Sequence, residues 1–161
     1  MVARLERDYL TIMGNVRVAD DLLHPSHQQQ PALSQHASKI IAIVEDDPEL
    51  ATLFQDALKV QQHWHLHFFP DGQVARDTIP QLQPQLILLD VGLPNLDGAA
   101  LYKILRGHSA TRHIPILVIT GKHDWQLHRM GLQAGLFLRK PFKLRELLFM
   151  MQALLGETPP M

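Results

Sequence analysis

The most informative stretch of the chain reads LILLDVGLPNLDG and runs from Leu86 to Gly98. Four apolar residues precede Asp90, and a turn that contains Pro94 follows it. A short, unbroken apolar run of this kind is typical of a parallel strand that is covered on both faces. With a helix expected from about Gly98 to Leu105, the stretch predicts a strand and then a helix, with a carboxylate where the strand ends.

The same strand-then-helix unit occurs five times after residue 38. Ile40 to Val44 is almost entirely apolar, and Asp47 and Pro48 then supply a helix N-cap and a proline at the first helical position. Further strands are expected near His65 to Phe69, up to Leu89, over Ile116 to Ile119 and over Leu136 to Arg139, with helices after Asp71, near Asp124 to Ala134, and through Leu144, Leu147, Leu148, Met151 and Leu154. Five such repeats predict an α/β fold with a doubly wound parallel sheet.

Polar side chains follow four of these apolar runs: Glu45 with Asp46, then Asp90, Thr120 and Lys140. Ligands of open parallel sheets bind beyond the carboxyl ends of the strands, so we expect the four positions to share one pocket. Two or three carboxylates held so close would repel one another unless a cation neutralises them. Mg²⁺ suits such a pocket, because it accepts one or two carboxylates, keeps several waters and bridges to phosphate oxygens.

The other polar positions suit an anion beside that cation. Lys140 adds a positive charge, Thr120 adds a hydroxyl group, and Gly121 leaves the backbone open to a bulky group. Such groups stabilise the charge on a phosphoryl group while a carboxylate attacks it in line. Asp90 is therefore the candidate nucleophile, and the expected product is an aspartyl phosphate.

The segment from Lys39 to about Leu155 resembles the receiver domain of two-component response regulators, of the chemotaxis-regulator type. The motifs that carry the resemblance are IVEDD at 43–47, LLD at 88–90 with LP at 93–94 and DG at 97–98, VITG at 118–121 and RKPF at 139–142. The resemblance implies a flavodoxin-like fold, in which five strands in the order 2-1-3-4-5 are flanked by five helices.

The resemblance also implies how the acidic residues are used. Asp90 would accept a phosphoryl group from a histidine kinase or a histidine phosphotransfer protein. Asp46, Asp90 and the carbonyl group of Gly92 would hold Mg²⁺ directly, and Glu45 would act through a water molecule.

The remaining family positions concern the phosphoryl group and the response to it. Thr120, Gly121 and Lys140 would surround the phosphoryl group, and Pro141 would follow a cis peptide bond. Thr120 and Phe137 would form a switch that changes the surface made by the fourth helix, the fifth strand and the fifth helix. A downstream protein is expected to bind that surface.

Two other classes of function use part of this residue set. A phosphatase of the haloacid dehalogenase type needs a second acid two residues after its nucleophile, where this chain has Gly92. A receiver-like interaction module that signals without phosphate remains as the alternative, although such modules usually lack Asp90, the acid pair or Lys140. We therefore expect no enzyme, except that the chain catalyses its own Mg²⁺-dependent phosphorylation and dephosphorylation.

Composition limits the class of partner. The 15 basic and 16 acidic residues give a net charge of -1, which offers no bulk field for binding nucleic acid or an anionic membrane. The chain has no cysteine, and no stretch approaches the roughly 20 apolar residues of a membrane span. Only GETPPM follows Leu155, so we expect no output domain, no direct DNA binding, a cytoplasmic location, and output through contact with another protein.

The first 38 residues differ from the rest. Residues 24–38 are polar, proline-punctuated and without period, which predicts a flexible linker. Before the linker, spacings of four and three relate the apolar residues Leu5, Tyr9, Ile12, Val16, Ala19 and Leu23. This pattern predicts an amphipathic helix over 1–23, which would dock either on the receiver or on a second copy as a homodimer. The expected divisions are thus helix 1–23, linker 24–38, receiver 39–155 and tail 156–161.

Two features leave alternatives open. His63, His65 and His67 alternate on one face of an expected edge strand, a spacing that suits a metal ion but also occurs on half-covered strands without one. Trp125, at the start of the fourth helix, is either a core residue or an exposed contact for a partner.

Overall fold

The structure is a computed structural model that describes residues 37–132 and 135–157. In this part of the chain, strands and helices alternate throughout. The elements are β1 (Lys39–Val44), α1 (Pro48–Leu58), β2 (Trp64–Phe69), α2 (Gly72–Leu82), β3 (Leu86–Asp90), α3 (Gly98–Gly107), β4 (Ile116–Thr120), α4 (Asp124–Arg129), β5 (Leu136–Arg139) and α5 (Leu144–Leu154). The predicted five-fold repetition of strand and helix is confirmed.

The five strands form one parallel sheet in the order β2-β1-β3-β4-β5, as predicted. The chain moves outward in one direction from β1 to β2 and in the other from β3 to β5, so the topological switch point lies between β1 and β3. The register pairs Val44 with Leu89, Asp90 with Ile119, and Thr120 with Arg139. The polar residues that end these strands therefore meet at one edge of the sheet, where such folds bind ligands.

Each face of the sheet carries its own apolar core. Ala42 and Val44 of β1 join a cluster with α2, α3 and α4, whereas Ile41 and Ile43 join a second cluster with α1 and α5. All four side chains are at most 1% exposed. Because both faces are covered, β1, β3 and β4 are apolar except at one end of each strand, which is the pattern seen in the sequence.

The local signals for helix starts are confirmed. Asp47 caps α1 by accepting hydrogen bonds from the N–H groups of Glu49 and Leu50, and Pro48 occupies the first turn. Asp71 caps α2, and Asp97 caps α3 in the same manner. These caps fix where the chain turns from each strand end into the following helix.

The predicted end of the fourth helix was wrong. The helix was expected to reach Ala134, but α4 ends at Arg129. Gly131 has a φ of +76°, its N–H donates to the carbonyl of His128, and the N–H of Leu132 donates to the carbonyl of Leu127. This pair of bonds is a Schellman motif, which stops a helix at a left-handed glycine.

The remaining sequence predictions concern the two termini, Trp125 and membrane-spanning helices. The helix at 1–23, most of the linker at 24–38 and most of the tail at 156–161 lie outside the described residues. Trp125 is 60% exposed, so the core alternative was wrong, and contact with a partner stays a prediction. Within residues 37–132 and 135–157, no helix has the length and apolar character needed to cross a membrane.

Candidate functional site

Three carboxylates meet where β1 and β3 end. Glu45 and Asp46 follow β1, Asp90 ends β3, and one oxygen from each lies within 4.8 Å of the others. We call these three residues the acidic pocket. Among the described residues, no other group of three or more histidine, aspartate or glutamate side chains is close enough to hold a metal ion, so His63, His65 and His67 do not form one. An all-oxygen donor set suits a hard cation such as Mg²⁺.

Glu45 is the buried member of the acidic pocket, with 4% of its surface exposed. Its Oε1 accepts a hydrogen bond from the N–H of Asp47 at 3.2 Å, whereas its buried Oε2 has no hydrogen-bond partner among the described residues. The nearest cation is Lys140, whose Nζ lies 3.5 Å from Oε2. Burial, and then the charge of Asp90, raise the pKa of Glu45 to about 7, although Lys140 and the Asp47 N–H act against them. A bound cation would neutralise this carboxylate, and a water on the cation would donate the hydrogen bond that Oε2 lacks.

Both carboxylate oxygens of Asp90 accept hydrogen bonds within the site. Oδ2 accepts a hydrogen bond from Nζ of Lys140 at 3.0 Å, and Oδ1 accepts one from the N–H of Gly92 at 3.1 Å. Burial alone would lower the pKa of Lys140, but its hydrogen bond to Asp90 and the charges of Asp90 and Glu45 raise it above its ordinary value. Lys140 is therefore a protonated cation beside the candidate nucleophile.

The ends of β4 and β5 position Thr120, Gly121 and Lys140, the residues expected to surround a phosphoryl group. The N–H of Lys140 donates to the carbonyl of Thr120 at 2.9 Å, which extends the pairing of the two strands into the site. Thr120 is 1% exposed, and its hydroxyl oxygen accepts a hydrogen bond from the N–H of Lys122 at 3.0 Å. A side chain at Gly121 would meet no atom within 4 Å, so the space above this position is open.

Phe137 lies on β5 and is half-buried against the core that faces α2, α3 and α4. A Cβ atom at Gly135 would lie 2.8 Å from the Phe137 ring, so the ring occupies space that the glycine leaves free. No pattern in the sequence signals this dependence on Gly135. The Lys140–Pro141 peptide bond is cis, as the resemblance implied.

Gly98 is a second residue whose role only the structure reveals. A Cβ atom there would lie 2.0 Å from the carbonyl oxygen of Asp90 and 2.7 Å from Cα of Val91. The start of α3 therefore packs directly on the backbone of Asp90, which no side chain at position 98 would permit. Its place in the DG motif was the only signal in the sequence.

Comparison with known proteins assigns this arrangement to one family. The model of the family described as the response regulator receiver domain matches residues 41–152. The chain is 36% identical over 122 residues to the response regulator MprA of Mycolicibacterium vanbaalenii, a match that covers 74% of this chain and 52% of MprA. It is 33% identical over 115 residues to the DNA-binding response regulator MtrA of Mycolicibacterium smegmatis, covering 70% of this chain and 49% of MtrA.

A solved structure supports the same assignment. The receiver domain of the sensor histidine kinase PA1611 from Pseudomonas aeruginosa, with a magnesium ion coordinated in its active-site cleft, matches with a TM-score of 0.68 and 30% identity. The match covers 75% of this chain and all of that domain. The chain spans about half the length of the curated relatives that it matches. MtrA is a DNA-binding response regulator, which conflicts with the expectation of no direct DNA binding, although the match covers only about half of MtrA.

Proposed function

Because this chain belongs to the response regulator receiver family, we propose that it accepts a phosphoryl group on Asp90 from a histidine kinase or a histidine phosphotransfer protein. The observation that carries the proposal is the position of Asp90 within a group of three carboxylates while Lys140 donates to it at 3.0 Å. An ordinary surface ion pair needs neither the extra acids nor a buried Glu45. The domain that does this would comprise residues 39–155 and act in the cytoplasm.

The acidic pocket fits Mg²⁺. Its three carboxylates face one cation, Lys140, and Oε2 of Glu45 has no hydrogen-bond partner among the described residues, so a divalent cation would balance the remaining negative charge. Asp46, Asp90 and the carbonyl of Gly92 would hold the ion, and Glu45 would bind one of its waters. When bound, Mg²⁺ neutralises both the carboxylates and the oxygens of the transferred phosphoryl group.

Asp90, Lys140 and Thr120 would have different roles in the phosphoryl transfer. A carboxylate oxygen of Asp90 forms the new O–P bond, the P–N bond of the donor phosphohistidine breaks, and its electron pair stays on the imidazole nitrogen, which takes up a proton. Lys140, already protonated beside Asp90, then binds an oxygen of the phosphoryl group. The Thr120 hydroxyl accepts from Lys122 and keeps its own proton for a second phosphoryl oxygen.

The signal would leave through the surface of α4, β5 and α5. Movement of Thr120 towards the phosphoryl group would free space for Phe137 to turn inward, which biases an existing equilibrium between two states. Converting such a pair from mostly one state to mostly the other takes about 5 kcal/mol of differential binding, which several charge-assisted hydrogen bonds supply. Trp125, 60% exposed on α4, is the largest apolar group that this surface offers a downstream protein.

Intact mass spectrometry tests the proposal. The full chain incubated with Mg²⁺ and a small acyl phosphate should gain one phosphoryl group, and omission of Mg²⁺ should prevent the gain. Asp90→Asn should abolish it. Asp97→Asn is the matched control, because Asp97 is an exposed aspartate of the same loop and asparagine can still cap α3.

The same experiment separates this function from phosphate-independent signalling. Uptake of one phosphoryl group by Asp90→Asn would place the acceptor elsewhere. No uptake by the unaltered chain, with any of a set of histidine kinases or the acyl phosphate, would favour the interaction module. In that case the chain would bind its partner equally well with and without Asp90.

A further inference from the structure

The loop between β3 and α3, residues 91–97, contains Gly92, whose carbonyl the proposed function assigns to Mg²⁺, and the present inference rests on that function. Gly92 is exposed, and its φ lies outside the left-handed region. Because glycine has no Cβ atom, the peptide groups on either side of it rotate at little energetic cost. The Gly92 N–H donates to Oδ1 of Asp90 at 3.1 Å, which holds the peptide group before Gly92. The peptide group after it, which carries the Gly92 carbonyl, depends on other contacts of the loop.

One of those contacts joins the loop to the start of α2. The side-chain amide of Asn95 donates a hydrogen bond to Oδ2 of Asp71 at 2.7 Å. The other oxygen of Asp71 caps α2, because it accepts from the N–H groups of Gln73 at 2.7 Å and Val74 at 3.2 Å. The hydrogen bond from Asn95, and then these two N–H groups, lower the pKa of Asp71, so the acceptor stays ionised. Asp71 thus fastens the loop to the first turn of a helix.

The backbone at this contact is built for close approach. Asn95 has a φ of +62°, a left-handed conformation that asparagine tolerates better than most residues. A Cβ atom at Gly72 would lie 2.4 Å from the carbonyl oxygen of Leu96, so the two segments meet only because residue 72 is glycine. Val91 and Leu93, on either side of Gly92, are 2% and 6% exposed and belong to the core. The hydrogen bond between Asn95 and Asp71 is the polar restraint on the outer, exposed part of the loop.

We propose that Asp71 and Asn95 are positioning residues for the Mg²⁺ site. Their hydrogen bond holds residues 91–97 in the conformation in which the Gly92 carbonyl serves as a ligand. Neither residue belongs to the acidic pocket. Both act through the peptide group that carries the Gly92 carbonyl, which loses a restraint when their hydrogen bond is removed.

Two substitutions remove this hydrogen bond and leave the surrounding backbone intact. Asn95→Gly keeps a residue that adopts positive φ freely, and Asp71→Ser keeps a hydroxyl that can cap α2. Asp77→Ser is the matched control, because Asp77 is an exposed carboxylate of the same helix that forms an ion pair with Arg76 at 2.8 Å. The control therefore accounts for the effect of one lost negative charge on cation binding.

The measurement is a Mg²⁺ titration of the full chain, followed by the amide chemical shifts of Gly92 and Asp46. Both substitutions should weaken Mg²⁺ binding about ten-fold, at the lower end of the range for residues that orient metal ligands, and Asp77→Ser should not. The double variant should bind no more weakly than either single variant, since both remove one bond. Gly92→Ala should restore part of the affinity of Asn95→Gly, because a Cβ atom there meets Asp90 only at 3.5 Å and limits rotation of the backbone.

The outcomes are distinct. Failure of the unaltered chain to bind Mg²⁺ would remove the proposed function and this inference together. Normal Mg²⁺ binding by Asn95→Gly and Asp71→Ser, accompanied only by a lower melting temperature, would make the contact purely structural and overturn the inference alone. Additive losses in the double variant, or no recovery with Gly92→Ala, would also overturn it, because the effect would not pass through one bond and one glycine.

Discussion

At the scale of single residues, Glu45 owes its chemistry to where the fold places it. The sequence presents it as one of three consecutive acids after β1, and the fold buries it while leaving Asp46 and Asp47 exposed. A buried carboxylate that has an ion pair but no hydrogen bond at one oxygen destabilises the folded state when it is charged. Under the proposed function, this stability is lost in favour of cation binding.

This burial predicts how stability varies with pH when no divalent cation is present. The pKa of Glu45 is raised to about 7 in the folded chain from its ordinary 4.5, so the neutral form favours folding below pH 4.5 and that contribution disappears as pH rises through 7. Urea denaturation should show a loss on the order of 3 kcal/mol between pH 4.5 and 8 from this group. Glu45→Gln should remove the dependence, and Glu49→Gln, an exposed acid of α1, should not. A profile that is the same in Glu45→Gln as in the unaltered chain would contradict the assignment.

Gly98 makes a second prediction at this scale. Gly98→Ala would bring a Cβ atom into the backbone of Asp90 and Val91, so we expect a loss of about 1 to 3 kcal/mol in the free energy of unfolding and weaker Mg²⁺ binding. Gly107→Ala, in the same helix, meets no atom within 4 Å and should be neutral or slightly stabilising. Equal effects of the two substitutions in urea denaturation would show that the start of α3 has room to move.

At the scale of elements, the strand-to-helix units were predictable because their signals are local. The caps Asp47, Asp71 and Asp97 lie within three residues of the N–H groups that they satisfy. The end of α4 was mispredicted because apolar spacing continued past Arg129, whereas the left-handed conformation of Gly131 stopped the helix. Helix ends that depend on one backbone dihedral are less visible in a pattern than helix starts.

The prediction at the scale of elements concerns how the surface of α4, β5 and α5 responds to a phosphoryl mimic. Beryllofluoride with Mg²⁺, as a phosphoryl mimic, should move the amide chemical shifts of α4, β5 and α5 and change the fluorescence of Trp125. The physical reason is that the mimic recruits Thr120 and Lys140, on adjacent strands, and so changes the surroundings of Phe137. Asp90→Asn should abolish the response. Shifts confined to the acidic pocket would count against a switch through Phe137.

At the scale of the whole molecule, the small net charge conceals a strong asymmetry. Residues 37–97 contain 9 acids and 3 lysines or arginines, whereas residues 98–145 contain 1 acid and 9 lysines or arginines. Since β4 and β5 lie at one side of the sheet and β2 and β1 at the other, the basic residues belong to the side that carries the expected output surface. The composition of the entire chain averages this difference away.

The asymmetry predicts retention on a cation-exchange resin at pH 7 and low salt, despite the formal net charge of -1. Salt above about 0.5 M should abolish the retention, because the charges are solvent-exposed and screened. The charge-reversal variant Lys143→Glu should elute earlier, and Lys59→Glu, on the acidic side and paired with Asp56, should elute later than Lys143→Glu. Identical elution of the two variants would show that only net charge matters.

The last prediction concerns residues 1–23. The structure does not test it, because residues 1–36 lie outside the described residues. If the apolar face of the predicted helix, from Leu5 to Leu23, packs against a second copy, the full chain should sediment as a dimer. A chain that begins at Ser38 should then sediment as a monomer. Monomers from both would leave docking on the receiver or a free tail.

The sequence by itself determined the order of strands and helices, the parallel class of the sheet and the residues of the acidic pocket with Thr120 and Lys140. These follow from apolar runs, caps and polar residues at strand ends, all of which are local. Only the tertiary structure decided that Glu45 is buried and paired with Lys140, that Gly98 packs on Asp90 and that Asn95 is hydrogen-bonded to Asp71. Those contacts join segments that lie on different elements, and their distances depend on strand register and loop conformation, which no local pattern encodes.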